Sequence, residues 1–319
     1  MRGIIQFLKD WTLPSAIVTG TVLYLIFANV PVLDGAARFF NPIFDTIFPF
    51  FMGMILFTTF CRVDFHKMRP TAWHWIITVF QVVITAAIAA FIIMSGITGD
   101  NLVIAESLLT CVIAPGAAAA AVVTAKLGGN LESMTTYTFV SNFITALLVP
   151  TVFPLIDNTL DISFMQAFLA ILHKVCLVLV VPMAGAYIVK HYMRGLHRRI
   201  ISIEDLSFYM WGISLSIVTG STVKYIAHAG TTVSFVMIIA AISLVMCLVQ
   251  FAIGRYVGHF FGATVESGQG LGQKNTAFAV WIAYTYLTPL CAVGPGCYIL
   301  WQNAINSLEI WHHRKKASL

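Results

Sequence analysis

Residues 266–278 read ESGQGLGQKNTAF, and they interrupt what is otherwise an apolar segment. Gly268, Gly270 and Gly272 fall at alternate positions, and Lys274 follows with no acid after Glu266. A phosphate-binding loop would need glycine directly before the lysine, serine or threonine after it, and a strand upstream. Here Gln273 separates Gly272 from Lys274, and the upstream residues end in the apolar run Val257-Gly258-His259-Phe260-Phe261. The lysine needs a different setting.

Composition supplies it. Of the 319 residues 59% are hydrophobic and only 10% charged, and the mean hydropathy is +0.88. A soluble chain needs charged surface to stay in solution, so that balance belongs to an integral membrane protein. Trp75–Met94 runs twenty residues without a formal charge and Phe235–Ile253 nineteen. Each is long enough to cross a hydrocarbon layer of roughly 30 Å as a helix. Residues 1–10 are mixed and amphipathic with no small-residue cleavage site after them, so the first span is expected to stay. The six cysteines form no Cys-x-x-Cys pair and read as small buried hydrophobes.

Apolar runs between polar breaks predict an all-α protein of ten crossings, near 12–30, 43–60, 71–95, 103–126, 131–154, 164–190, 206–228, 232–257, 260–288 and 292–311. The fourth and ninth carry helix-breaking clusters, Ala114-Pro115-Gly116 and Gly268–Asn275. Lysine and arginine orient the chain. Fourteen of them, from Arg2 and Lys9 to Arg314, Lys315 and Lys316, fall on the side of the termini, against Arg38 alone opposite. Both termini are therefore expected in the cytoplasm, with the chain in the plasma (inner) membrane. The net charge of +5 follows from that topology and implies no nucleic-acid partner. The tail His312-His313-Arg314-Lys315-Lys316 reads as an interfacial anchor, and no metal is expected. Lys224 can snorkel toward water near His228, and Lys174 is ambiguous. Lys274 lies inside a broken helix, where a charge is most costly and most often functional.

The two broken spans are half a chain apart, Pro115 and Gly272 differing by 157 positions. FMGMI (51–55) resembles YMWGI (209–213), with Gly53 and Gly212 at an offset of 159; SNFITA (141–146) resembles QNAINS (302–307), with Asn142 and Asn303 at 161. The order and offsets predict two five-span repeats, 10–157 and 162–313, which must insert with opposite orientation because five is odd. Inverted repeats with an interrupted helix in each half are the pattern of a secondary transporter. A broken helix frees backbone groups that lipid cannot satisfy, so it persists only beside water or cargo. Amides at half-helix N-termini, after Pro115 and around Asn275 and Thr276, favour anions.

These segments also carry a family resemblance. CVIAPGAAAAAVVTAKLGGNLESMTTYTFVSN (111–142) resembles the fourth and fifth helices of the bile acid:sodium symporter family, with its C-P-G-G-T-A-S-N. GQKNTAFAV (272–280) resembles the ninth-helix G-M-Q-N-S-G-L-A, and WQNAINS (301–307) the tenth-helix W-H-N-x-x-G. The wider superfamily includes arsenite and auxin exporters. The resemblance implies a panel of spans 1, 2, 6 and 7 and a core of spans 3–5 and 8–10, with broken helices 4 and 9 crossing at mid-membrane. It also implies transport of organic anions with two bound sodium ions. This chain departs at those sodium sites. The family's Ser-Asn ligand pair falls on Ala120 and Ala121, a serine on Met134, a glutamate on Gly270 and a glutamine on Lys274; Gln81 and Thr138 are kept.

Pro115–Ala121 and Gly270–Thr276 are therefore expected to be unwound, with Gln81 and Thr138 facing them. The site is expected among Lys274, Asn275, Thr276, Gln273, Gly270, Gly272, Pro115, Gly116, Ala120, Ala121, Thr138, Gln81 and Asn303. A lysine about 4 Å from a cation opposes it by roughly 4 kcal/mol at an effective dielectric near 20, roughly a thousandfold in affinity. Bound sodium is not expected, and no cofactor is. Lys274 then takes the sodium's place as a fixed charge receiving an anion, as a proton carrier, or as a structural lysine capping carbonyls of the ninth span. The expected function is sodium-independent transport of a small organic anion, by proton coupling or exchange. An exporter of the arsenite or auxin type, with Cys111 as an arsenite ligand, and a transporter-like receptor are the alternatives. An enzyme is not expected. GISLS (212–216) resembles a rhomboid Gly-x-Ser with His228 as base but lacks the second small residue, and no His-Glu-x-x-His occurs.

Overall fold

The computed structural model describes residues 11–33, 35, 50–51, 53–156, 163–203, 205–227 and 230–317. It is all-helical, with no strand among the described residues. Helix α1 is Thr12–Asn29, and α2 covers 53–60. Then come α3 (Ala72–Ser95), α4 (Gly99–Ile113), α5 (Ala118–Lys126) and α6 (Leu131–Ile156). Helix α7 (Phe164–Tyr192) contains a π turn at Cys176–Val180 and is followed by the short α8 (Arg194–Ser202). The chain continues through α9 (Leu206–Ala227), α10 (Val233–His259), α11 (Thr264–Gly272), α12 (Thr276–Tyr286) and α13 (Val293–Ala317).

Six helices are long and apolar enough to cross a bilayer: α1, α3, α6, α7, α9 through Lys224, and α10. Their surfaces agree. Helix α10 buries Phe235, Ile239, Cys247 and Phe251 yet leaves Met237, Val245 and Leu248 exposed, as a helix must when its solvent is lipid. The protein is membrane-embedded. Much of the expected span 43–60, with part of the FMGMI echo, lies outside the described residues, as do His228 and the ends of the proposed repeats at residues 10, 157 and 162. All six cysteines are free and all but Cys176 are buried.

Both expected helix breaks occur, but they are shorter than the sequence suggested. Helix α4 stops at Ile113 and α5 starts at Ala118, so Ala118–Ala121 are helical. Pro115 explains the stop, since its ring has no N–H to donate and the residue before it, Ala114, is extended at ψ 141°. In the ninth segment Gly268, Gly270 and Gly272 are all inside α11, and the break falls on Gln273–Asn275. The glycines serve packing. Gly254 and Gly258 on α10 form one Gly-x-x-x-Gly, and Gly268 and Gly272 on α11 form another. A Cβ on Gly254 would sit 2.4 Å from the Ser267 carbonyl oxygen, and one on Gly258 2.3 Å from that of Ala263. On the facing helix, Gly272 leaves room for the Phe251 ring, 2.3 Å from where its Cβ would be. Small residues permit this approach because lipid supplies no hydrophobic drive, so association rests on close contact.

The chain divides into two compact units. One comprises Met1–Val63, Val178–Lys224 and Asn303–Leu319. In it α1 and α9 meet through Gly20, whose Cβ would strike the Ser216 backbone, and Gly212, which faces the Thr12 side chain. GISLS is therefore part of a helix contact. Basic side chains finish α2: His197 Nε2 lies 2.8 Å from the Cys61 carbonyl oxygen, and Lys190 Nζ donates to that of Val63 at 2.8 Å. The other unit, Asp64–Leu177 with Tyr225–Gln302, holds α3–α6, α10–α12, the start of α7 and the start of α13. Its apolar cluster gathers Ile92, Leu109, Ile113, Phe153, Ile171, Ile282 and Tyr286. The opening stretch adds a polar tie, the Glu266 carboxylate accepting from the Asn130 amide ahead of α6.

The glycine seam sets a test. Gly254→Val should cost about 2–3 kcal/mol, since the added atoms meet backbone rather than a movable side chain. Gly195→Ala, where nothing lies within 4 Å, should stay within about 0.5 kcal/mol. Thermal unfolding in detergent compares the two.

Candidate functional site

The two breaks pair with each other. The Ala117 amide donates to the Gln273 carbonyl at 2.8 Å and the Asn275 amide to the Pro115 carbonyl at 2.8 Å, with Gly116 opposite Lys274 in an antiparallel bridge. Extended backbone inside a helical membrane protein must find partners, and here each break supplies them for the other. The approach depends on glycine: a Cβ on Gly116 would lie 3.4 Å from the Gly270 carbonyl oxygen, and one on Gly270 2.8 Å from the Tyr137 ring.

Side chains satisfy what the pairing leaves over. A continuous helix would have used the carbonyls of Val112, Ile113 and Ala114 in its next turn. Instead Gln81 Nε2 donates to Ile113 at 3.2 Å and Ala114 at 3.1 Å, and Thr145 Oγ1 donates to Ile113 at 2.9 Å. The Val112 carbonyl accepts from Lys274 Nζ at 3.2 Å. The Gly116 amide donates to Ser141 Oγ at 2.9 Å. In the ninth segment the Tyr298 hydroxyl donates to the Gly272 carbonyl at 2.7 Å and accepts from Gln250 Nε2 at 3.0 Å. Gln302 holds Lys274 by its backbone, Oε1 accepting from the amide at 2.8 Å and Nε2 donating to the carbonyl at 3.2 Å. Asn275 caps α12, its Oδ1 accepting from the Phe278 amide at 3.2 Å.

Lys274 is thus 1% exposed, with its ammonium at the carbonyl end of α4. It caps the fourth segment rather than the ninth. That placement is favourable, because a helix C-terminus carries partial negative charge. Among the described residues no carboxylate pairs with it. Nearby, both amide atoms of Gln273 and Gln81 Oε1 are buried without a hydrogen-bond partner among the described residues. A buried polar atom left unpaired costs about 1–3 kcal/mol, so these atoms retain hydrogen-bonding capacity inside the crossing.

The other expected residues are placed as follows. Thr276 starts α12 and is buried. Gln81 faces the fourth break directly. Thr138 is buried and its hydroxyl donates to the Met134 carbonyl at 3.0 Å, within its own helix. Ala120, Ala121 and Met134 share an apolar cluster with Trp73, Ile77, Tyr137 and Leu271. Asn303 is buried in α13, directly after Gln302. Cys111, the residue an arsenite ligand would need, is also buried, and no three His, Cys, Asp or Glu side chains are grouped for a metal among the described residues.

Some residues escaped the sequence reading. Ser141, Thr145, Gln250, Tyr298 and Gln302 hold the breaks from other helices; Ser141, Thr145 and Gln302 lie in the SNFITA and QNAINS echoes without being singled out there, and no local pattern marks Gln250 or Tyr298. Glu106 had a readable signal, being a carboxylate inside an apolar span. It is 6% exposed in α4, and Cys291 Sγ donates to its Oε2 at 3.1 Å. Lys174 is only half-buried on α7, its ammonium 3.9 Å from the Trp281 ring centroid.

Among known proteins, no family model and no curated sequence matches this chain.

Two substitutions probe the pairing. Gln81→Leu strands the Ala114 carbonyl and leaves that of Ile113 to Thr145 alone, and should destabilise by about 2 kcal/mol; Tyr298→Phe removes the bonds to Gly272 and Gln250 and should cost about 2 kcal/mol. Chemical unfolding in mixed micelles would give both differences.

Proposed function

We propose that this protein is a sodium-independent secondary transporter of a small organic anion. In this reading ten spans form two inverted five-helix repeats, the paired breaks lie near the middle of the bilayer, and both termini face the cytoplasm of the plasma (inner) membrane. The carrying observation is the backbone pairing of residues 115–117 with 273–275, beside the buried amide of Gln273. Two interrupted helices that satisfy each other's backbone, with polar atoms left over, suit a translocation site better than a passive scaffold. The division of the chain into 64–177 with 225–302 and the remainder supports the reading of a core and a panel that interleave in sequence.

Sodium does not fit the residues present. Sodium is a hard cation that takes oxygen ligands, as calcium and magnesium do. The positions that the family resemblance gives to its ligands hold the methyl groups of Ala120 and Ala121, the Met134 side chain and Gly270. The Thr138 hydroxyl and the Gln81 amide are engaged with backbone carbonyls. Lys274 brings its own positive charge to the carbonyl end of α4, the kind of group a cation would otherwise use. It acts as a fixed charge that joins the two half-helices.

Two measurements test this. In proteoliposomes, uptake of radiolabelled carboxylates and sulfonates should have the same initial rate, within twofold, in sodium, potassium and choline. A steep dependence on millimolar sodium would overturn the reading. Lys274→Met keeps the stem and removes the charge, leaving the Val112 carbonyl unpaired; it should lower the melting temperature and cut transport at least tenfold.

A further inference from the structure

Lys274 is sealed in the crossing and cannot meet a ligand in this conformation, which leaves the question of what receives the anion. The same unit holds a second lysine inside an apolar helix. Lys174 is the eleventh residue of α7, and Lys190 lies sixteen residues further on. A span needs about 20 apolar residues, so counting back from Lys190 leaves Lys174 about one helical turn inside the apolar layer. Its ammonium lies 3.9 Å from the Trp281 ring centroid and 5.7 Å from that of Phe278, both on α12. Among the described residues no carboxylate and no hydrogen-bond acceptor holds it.

We propose that Lys174 and the aromatic face of α12 form the recognition site for the organic anion, a carboxylate or sulfonate pairing with the ammonium while the ligand's apolar body packs on Trp281 and its neighbours. Buried rings back the partly exposed Trp281, with Phe278, Tyr286 and Phe153 all lying in the apolar cluster. Phe278 and Trp281 have ring centroids 5.3 Å apart, Trp281 meets Tyr286 edge-on at 6.2 Å, and Tyr286 stacks on Phe153 at 5.3 Å. Phe168 and Leu287 are partly buried at its edge. A ring face attracts the cation but satisfies none of its three N–H donors, so the ammonium keeps its capacity for a charge-assisted bond. Bonds of that kind strengthen where water is scarce. Position supports the assignment too. Trp281 is five residues beyond Thr276, on the half-helix whose first turn is capped by Asn275. A ligand on Trp281 therefore loads the element whose other end forms the crossing.

This inference rests on the transporter reading, and the experiment separates the two. The full chain in neutral detergent is titrated with 2-naphthoate and decanoate, each beside its neutral amide, and with dioleoyl phosphatidylglycerol as the lipid source of an anionic head. We expect at least one carboxylate to bind and raise the melting temperature, with its amide at least tenfold weaker. Lys174→Gln should weaken carboxylate binding at least tenfold while leaving the unliganded melting temperature within two degrees, Lys174→Arg should restore it, and Trp281→Leu should weaken it severalfold. The site is overturned if neither carboxylate binds, if the amides bind equally, if Lys174→Gln binds as the parent does, or if only the lipid binds. Binding without flux in proteoliposomes would remove the transporter reading and leave the site standing. Flux that survives Lys174→Gln would do the reverse.

Discussion

A backbone that leaves the helical path in the interior of a helical membrane protein has few ways to satisfy its amides and carbonyls, and here two such breaks satisfy each other. Residues 115–117 and 273–275 bond to each other across the crossing, as a two-residue fragment of antiparallel sheet in an otherwise helical protein. The arrangement is reciprocal, so neither break is tenable alone. A continuous fourth helix would strand the Asn275 amide, and a continuous ninth would strand that of Ala117. The carbonyls at the end of α4 remain, and they are divided among Gln81 on α3, Thr145 on α6 and Lys274 in the other break.

Close packing makes the crossing reachable. The facing Gly-x-x-x-Gly pairs let α10 and α11 lie nearly backbone to backbone, and this brings Gln250 within reach of Tyr298 and Tyr298 within reach of the Gly272 carbonyl. Glycine is unfavourable within a helix in water, by roughly 1 kcal/mol relative to alanine. In a membrane that deficit is offset by contacts that larger residues would prevent. Gly116 and Gly270 extend the same logic to the crossing, where the Tyr137 ring rests against both.

The two lysines show how one side chain can stand in two very different surroundings. Lys274 is enclosed and directed at a helix carbonyl, so its charge is structural and local. Lys174 is half-buried against an aromatic face, with its donors unengaged by described residues. A sequence reader sees two lysines in apolar runs and ranks them by the company of glycines, which selects Lys274. The distinction that matters for a ligand is access, and access is a property of the fold.

The sequence by itself determined that the chain is a helical membrane protein, because hydropathy and charge spacing are local sums that need no partner. It also located the helix breaks to within a few residues, because Pro115 cannot continue a helix and a polar Gln-Lys-Asn run does not persist in lipid unaided. It misjudged Gly268, Gly270 and Gly272, which read as breakers and are helical, since a glycine's role depends on what packs against it. Only the tertiary structure decided that the breaks pair, that Lys274 caps α4 rather than its own segment, and that Ser141, Thr145, Tyr298 and Gln302 hold the crossing. Those outcomes depend on which distant backbone groups are left unsatisfied, and no local pattern encodes that.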